Sequence, residues 1–219
     1  FVRLYNQTQW TLFKTTKQKN LKVGKEGYLF WTEYMDAYFG KDEIDPRKIE
    51  VQAFKINRLQ DTLSKLGIDL VVALAPGKAS FFPEYFPEEY AHDTIGVTNY
   101  ELWKKYMKAR DVEYIDFMEW FLAMKDTATY PLFPKCGTHW SVFGEYLAAD
   151  SLVKYIEQKK NAPIPRLVLD TVLLEAKNTW AEYDLGHLMN LMTNLPTYPM
   201  GHPQFHIEKN DSTLELKGI

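Results

Sequence analysis

The stretch DPRKIEVQAFKINRLQDTLSKLGIDLVVALAP, residues 45–76, carries the strongest structural pattern in this chain of 219 residues. Its first part predicts a helix, because Asp45 can cap it, Pro46 suits the first helical position and apolar residues recur at helical spacing. Gly67 ends this helix. The continuous apolar run that follows at once, residues 68–76, is typical of a buried parallel strand, and a helix leading into such a strand indicates an α/β fold.

The same alternation continues along the chain. Thr98 and Glu101 form a capping-box pattern that predicts a helix, and residues 112–116 predict a second short strand. Ser141 is expected to cap a further helix. Because ligands of α/β sheets bind beyond the carboxyl ends of the strands, we expect the loops after both strands, and the loop that carries His139, to share one edge.

Composition excludes several functional classes. The net charge is −3 and there is no long basic run, which argues against nucleic acid as a partner. A single cysteine cannot form an internal disulfide, and the sequence has no glycine-rich loop that would cradle a phosphate. We therefore expect no cofactor. The aromatic share of 15% suggests carbohydrate as a ligand, although most aromatic side chains in a domain fill its core.

His139 is the first candidate for catalysis. It lies in the stretch PLFPKCGTHWSVFGEYLAAD (131–150), just before the predicted helix. An imidazole in this position can accept and return a proton near backbone N–H groups that favour negative charge. The alternative from spacing alone is a histidine whose ring nitrogens are satisfied by backbone groups. Trp140 is interpreted first as a core residue.

The remaining candidates are weaker. Ser80, which follows the apolar strand, is the least implausible hydroxyl nucleophile, ahead of Thr138 and Ser141, and none of them lies in a G-x-S-x-G setting. Cys136 is too close in sequence to His139 to favour a Cys–His pair. Asp184 can orient an imidazole or cap a helix. A metal site is not expected, although three further histidines occur near the end of the chain: His187, His202 and His206.

Three segments, taken together, resemble the SGNH hydrolase-like domain of the alginate O-acetyltransferase group, which includes proteins named for a D-H-H-W motif. They are GKEGYLFW (24–31), LVVALAPGKASFFPEYFP (70–87) and LFPKCGTHWSVFGEYLAADSL (132–152). The resemblance implies a flavodoxin-like three-layer α/β domain with a central, mostly parallel sheet. It also implies a permuted Ser-His-Asp site in which His139 is the general base of a serine that takes up and passes on an acetyl group.

This chain departs from the family pattern at two places. The family's acid lies two residues before the histidine, where Gly137 stands, so Asp184 becomes the candidate orienting acid. Counted from the histidine, the family's serine falls beyond Ile219. We therefore expect a lead-in segment at 1–22 and one SGNH hydrolase-like domain at 23–219, C-terminally incomplete and ending before the nucleophile block, with LELKGI (214–219) as the strand that approaches it.

The predicted function is acetyl transfer or ester hydrolysis on a cell-envelope or secreted polysaccharide, with Trp140, Ser80 and Tyr85 as candidate substrate-binding residues. A membrane-bound acetyl donor protein is a candidate partner. The expected location is the periplasm or cell envelope, with any signal or anchor outside this chain. The alternative is a polysaccharide-binding or assembly module that keeps the fold without a working triad, which Gly137 favours.

Overall fold

A computed structural model describes residues 1–161, 163–176 and 178–208 of the chain. The chain divides into two compact units: residues 1–127 with 185–194, and residues 128–184 with 195–219. The prediction of a single domain over residues 23–219 stays a prediction.

Eight α-helices and six strands occur in the described residues. The helices are α1 (Val2–Phe13), α2 (Thr32–Phe39), α3 (Pro46–Ser64), α4 (Lys78–Phe81), α5 (Asn99–Ala109), α6 (Phe117–Met124), α7 (Val142–Lys160) and α8 (Asp184–Leu188). The strands are β1 (Leu21–Val23), β2 (Leu29–Trp31), β3 (Val72–Leu74), β4 (Tyr114–Asp116), β5 (Arg166–Glu175) and β6 (Met200–Glu208).

Helix α3 forms as the sequence predicts. The carboxylate of Asp45 accepts a hydrogen bond from the backbone N–H of Arg47 at 2.9 Å, and Pro46 occupies the first turn. Beyond the end of α3, Gly67 adopts a φ of 73°, in the left-handed region that glycine enters without steric cost. Local capping therefore sets both ends of this helix.

Strands β3 and β4 pair in parallel, with Val72 opposite Tyr114, which confirms the α/β class. In the described residues the other strands form two antiparallel pairs, β1–β2 and β5–β6. The central, mostly parallel sheet is thus seen only as the β3–β4 pair. This pair is also less buried than a central strand would be, because Ala73 is exposed and its neighbours are half-buried.

The core of the first unit includes a cluster between α3, α5 and the parallel pair. Ala53 and Met107 are fully buried, and Val72 and Leu74 of β3 pack against them. The capping box of α5 is present in full, with Thr98 and Glu101 bonding to each other's backbone N–H groups. The two helices therefore cover one face of the parallel pair.

Helix α1 lies within the segment predicted as a lead-in, and it has no buried residue. It is held by long-range polar contacts. Asn6 donates its amide to the carbonyl of Met189 at 3.1 Å, and the Gln7 side-chain oxygen accepts from the N–H of Met192 at 3.1 Å. Local sequence gives no sign of such partners, so the helix was not expected.

In the second unit, Ser141 caps α7 as predicted. Its hydroxyl accepts from the N–H of Gly144 at 3.0 Å and donates to the carbonyl of Pro131 at 2.7 Å. Helix α7 packs on the β5–β6 hairpin, where the rings of Tyr146 and Phe205 lie 5.6 Å apart.

The segment HPQFH (202–206) lies in β6, which no pattern in the sequence predicts. Proline argues against a strand since it has no N–H to donate, yet Pro203 pairs with Val172 of β5. The long ladder on either side of the pair, from Arg166–Glu208 to Glu175–Met200, holds the proline in place. The predicted strand LELKGI (214–219) lies outside the described residues.

Candidate active site

His139 lies in the irregular segment that leads into α7, two residues before its N-cap Ser141. Its side chain is 56% exposed, so the ring is open to solvent. Gly137 and Ser141 on either side of it are buried. The residues on either side are therefore fixed in the protein interior, while the imidazole itself extends into solvent near the start of α7.

Asp184 is the carboxylate that faces His139. Its Oδ2 lies 3.5 Å from the ring Nε2, and its Oδ1 accepts a hydrogen bond from the backbone N–H of Thr138 at 2.8 Å. Only 11% of the Asp184 side chain is exposed. One carboxylate thus contacts the residue before the histidine and also lies beside its ring, which is the arrangement that can orient an imidazole.

The carboxylate faces Nε2 and not Nδ1. Among the residues that the structure describes, none forms a hydrogen bond with Nδ1 of His139. A carboxylate beside Nε2 favours the tautomer with the proton on that nitrogen. In this arrangement Nδ1 is the nitrogen that can accept a proton from a reacting hydroxyl.

Gly137 marks a close approach between two segments. A Cβ atom at this position would lie 2.6 Å from the carbonyl oxygen of Ala181 and 2.7 Å from the carbonyl carbon of Glu182. These are backbone atoms and cannot move aside as a flexible side chain would. The segment that carries Asp184 therefore fills the space in which a side chain at position 137 would begin.

A second acid–histidine pair lies beside this site, and the sequence analysis missed it as a pair. Glu182 is fully buried, and its Oε2 lies 3.0 Å from Nε2 of His202. The same oxygen accepts from the N–H and hydroxyl of Thr179 at 2.9 and 3.1 Å, and Oε1 accepts from the N–H of Val142 at 3.3 Å. The signal available in the sequence was the capping-box spacing of TWAE (179–182).

His202 lies between two carboxylates. Its Nδ1 is 3.3 Å from Oε2 of Glu175, on the ring edge opposite Glu182. His202 is 9% exposed, whereas the side chain of Glu175 is 45% exposed. The cluster therefore runs from the buried Glu182 through the imidazole to a carboxylate at the surface.

Glu145, in the first turn of α7, is within electrostatic reach of both pairs. Partial burial raises the pKa of this carboxyl above its ordinary value, although part of the side chain reaches solvent. The charge of His139 opposes the rise, and the nearby carboxylate of Glu182 adds to it. The start of α7 is thus a site where carboxylates and one exposed imidazole influence each other.

The three candidate substrate-binding residues lie in different places. Trp140 is half-buried next to His139, and like His139 it belongs to the second unit. Ser80 and Tyr85 belong to the first unit. Tyr85 stacks on the ring of Tyr28 with centroids 4.0 Å apart, so one of its faces is already covered.

Ser80 lines a pocket of about 300 Å³ in the first unit. Tyr100 also lines it and donates its hydroxyl to Oδ2 of Asp116 at 2.7 Å. Burial, together with this bond to a carboxylate, raises the pKa of Tyr100 to about 12. Residues of both the loop after β3 and the helix after β4 line the pocket, so it lies beyond the carboxyl ends of the parallel strands, where α/β sheets bind ligands.

Two other sequence candidates, Cys136 and His206, make different contacts. Cys136 is buried, with its Sγ 4.0 Å from the carbonyl oxygen of Pro196. His206 pairs with Asp170, at 2.9 Å from Nδ1 to Oδ1. Within residues 1–161, 163–176 and 178–208, no group of three or more His, Cys, Asp or Glu side chains is arranged to hold a metal ion. No helix in this part of the chain is both long and apolar enough to cross a membrane.

The second unit thus places an exposed histidine next to an aspartate at the start of a helix, and the first unit contains the parallel strand pair. The family model described as SGNH hydrolase-like domain, acetyltransferase AlgX, matches residues 21–206. The chain belongs to this family.

Individual relatives agree with this assignment. The chain is 24% identical over 200 residues to the probable alginate O-acetylase AlgJ of Pseudomonas aeruginosa, covering 90% of this chain and 46% of the relative. It thus spans about half the length of that relative.

Three solved structures share the fold. The O-acetyltransferase domain of Pseudomonas putida AlgJ has a TM-score of 0.52 at 21% identity, over 88% of this chain and 66% of that one. Pseudomonas aeruginosa AlgX has a TM-score of 0.52 at 18% identity, over 87% and 44%. Bacillus cereus PatB1 has a TM-score of 0.50 at 15% identity, over 86% and 58%.

Proposed function

We propose that this domain transfers an acetyl group to or from a polysaccharide hydroxyl, with His139 as general base and Asp184 as its orienting acid. The observation that supports this most directly is the position of Asp184. Its carboxylate bonds to Thr138 and lies 3.5 Å from the His139 ring, although the family's usual acid position holds Gly137. The family assignment supplies the acetyl-transfer chemistry.

In the proposed reaction a serine C-terminal to Ile219 is the nucleophile. Its oxygen attacks the acetyl carbonyl carbon while His139 takes the hydroxyl proton. The tetrahedral intermediate collapses, the donor oxygen leaves with the proton from the imidazolium, and the acetyl group remains on the serine. A glycan hydroxyl, or water, then attacks the acetyl-serine carbonyl carbon while His139 takes the proton of the attacking oxygen. When this second tetrahedral intermediate collapses, His139 gives that proton to the departing serine oxygen.

The role of Asp184 is to hold the imidazole and to stabilise the imidazolium that forms when the proton arrives. The separation of 3.5 Å is longer than an ordinary N–H···O hydrogen bond, which spans roughly 2.7–3.2 Å. Catalytic hydrogen bonds are often long before substrate binds and shorten in the reacting complex. The exposure of the ring leaves room for a nucleophile and a glycan beside it.

The substrate and setting follow from the relatives by analogy. One relative is named a probable alginate O-acetylase, so we propose an envelope or secreted polysaccharide as the acetyl acceptor or donor. A periplasmic location and a membrane-bound acetyl donor protein complete the proposal. Trp140, next to His139, is the aromatic residue that we propose for contact with the sugar.

The test uses the complete gene product, a fluorophosphonate label and the substitutions His139→Ala and Asp184→Asn. In the Asn variant the amide oxygen must accept from the N–H of Thr138, so the NH₂ group faces Nε2 of His139. The NH₂ group donates to Nε2, which favours the tautomer with the proton on Nδ1 and leaves Nδ1 unable to accept a proton. We expect labelling of one serine in the unsubstituted protein, and a loss of up to about 10⁴ in kcat for Asp184→Asn. Absence of any labelled serine in the folded protein contradicts the proposal.

A second candidate is a polysaccharide-binding or assembly module without catalytic activity. Gly137 and the long distance between Asp184 and His139 favour it. In that case glycan binding, measured by calorimetry, survives His139→Ala, and the complete protein does not hydrolyse p-nitrophenyl acetate. Hydrolysis that depends on His139 rules this candidate out.

A further inference from the structure

The buried carboxylate of Glu182 connects the two segments that carry His139 and Asp184. Val142, whose N–H donates to Glu182, lies three residues after His139 and one residue after the cap of α7. Asp184 follows Glu182 by two residues, in the segment whose backbone packs against Gly137. Glu182 is therefore bonded to the start of α7 and lies in the same short segment as Asp184.

His202 ties the same carboxylate to the β5–β6 ladder. It lies on β6 opposite Leu173, and Glu175 on β5 approaches its second ring nitrogen. Glu182 contacts the ring from the buried side and Glu175 from the surface, each at a different nitrogen. The pairing of β5 with β6 holds His202 in place, and the contact of His202 with Glu182 in turn limits the position of the Glu182 carboxylate.

We infer that Glu182 and His202 form a positioning pair that holds Asp184 against Thr138 and beside the ring of His139. The inference rests on the proposed function, since it assigns the support of that same site. Neither residue touches the reacting atoms; they act through Asp184. A buried carboxylate such as Glu182 needs several hydrogen bonds to offset its loss of hydration, whatever its role. A further measurement must therefore separate a positioning role from a purely structural one.

The hydrogen bond from Thr138 to Asp184 gives a readout that separates the two roles. An amide N–H bound to a carboxylate at 2.8 Å has a strongly displaced proton resonance. The N–H of Gly144, bound to the Ser141 hydroxyl, reports on the N-cap of α7 in the same spectra. A purely structural loss lowers the melting temperature and leaves the Thr138 resonance in the folded protein unchanged.

The experiment compares Glu182→Gln, His202→Gln and Asp184→Ala by amide NMR on this chain. The matched control is His206→Gln, which removes an exposed histidine–aspartate pair from the same hairpin. We expect the displaced Thr138 resonance to be lost in the first three variants and to persist in the control, with the Gly144 resonance retained throughout. In the complete gene product, Glu182→Gln is expected to lower kcat by about 10² with KM unchanged, as a displacement of about 1 Å can do.

Each result decides between specific statements. A displaced Thr138 resonance that survives in Glu182→Gln and His202→Gln, and is lost only in Asp184→Ala, overturns the positioning pair and leaves Asp184 as the orienting acid. A displaced resonance that survives in Asp184→Ala as well overturns the acid assignment within the proposed function. If both cluster variants fail to fold, Thr179→Val, which removes one of the four donors to Glu182, decides by the same resonance.

Discussion

Substitution of Gly137 by alanine tests the close approach that distinguishes this site. The added Cβ would lie 2.6 Å from the carbonyl oxygen of Ala181 and 2.7 Å from two backbone atoms of Glu182. Carbon and oxygen atoms in contact prefer distances well above 3 Å, and the atoms met here belong to the main chain. One of the two segments must therefore move for the methyl group to fit.

The cost follows from overpacking of a buried site. Insertion of a methyl group into packed surroundings costs about 1–3 kcal/mol, and the backbone contacts place Gly137→Ala in the upper half of that range. In a protein of this size, about 2–3 kcal/mol corresponds to a drop in Tm of about 4–12 °C. Because φ of Gly137 is not in the left-handed region, the cost comes from contacts and not from backbone strain.

The assay is urea unfolding followed by fluorescence and circular dichroism, with Gly77→Ala as the matched control. A Cβ at Gly77 meets no atom within 4 Å, so we expect the control to change stability by no more than about 0.5 kcal/mol. If Gly137→Ala is as stable as the control, the packing of the Ala181–Glu182 backbone on Gly137 is refuted.

The same reasoning predicts that Gly137→Asp fails to repair the site. An aspartate there would match the acid position of the family, yet its Cβ meets the same two backbone carbonyls. We expect it to displace the segment that carries Asp184 and to lower both stability and kcat of the complete gene product. An increase in kcat would show that the family's acid position is still usable in this chain.

Three further predictions concern stability. Burial disfavours the charged form of Asp116, but hydrogen bonds from Lys104, the Glu119 N–H and Tyr100 outweigh it and lower the pKa of this carboxyl below its ordinary value of 3.8. Asp116→Asn is therefore expected to lower the free energy of unfolding by about 2 kcal/mol at neutral pH, measured by urea unfolding. This cost shrinks as the pH falls below 3.8 through the folded-state pKa, so the measurement is repeated across pH. Met107→Ala, at a fully buried position, should cost about 2–5 kcal/mol in the same assay, and a cost under 1 kcal/mol contradicts the core between α3 and α5. Ser141→Ala should cost about 1–2 kcal/mol through the lost cap, with fraying of α7 seen in amide exchange; unchanged protection of Gly144 would count against it.

Sequence alone determined the elements whose signals are local. The cap and first-turn proline of α3, the capping box of α5 and the Ser141 cap of α7 each depend on atoms within a few residues. The parallel pair could also be predicted, because a short apolar run after a helix is typical of such strands. These local patterns, together with the family motifs, were enough for the fold class and for the selection of His139.

Tertiary structure decided the features that join distant parts of the chain. Strand β6 contains Pro203 and is held by a ladder to a strand about 30 residues earlier, a partner that no local pattern reveals. The bond from Thr138 to Asp184 spans 46 residues, and the contact of His202 with Glu182 spans 20. The need for glycine at position 137 arises from a segment more than 40 residues away. Hydrogen bonds and close contacts form only when the distance between two atoms is correct to within a few tenths of an ångström. Between residues so far apart in sequence, only the packing of the folded chain sets distances with that precision.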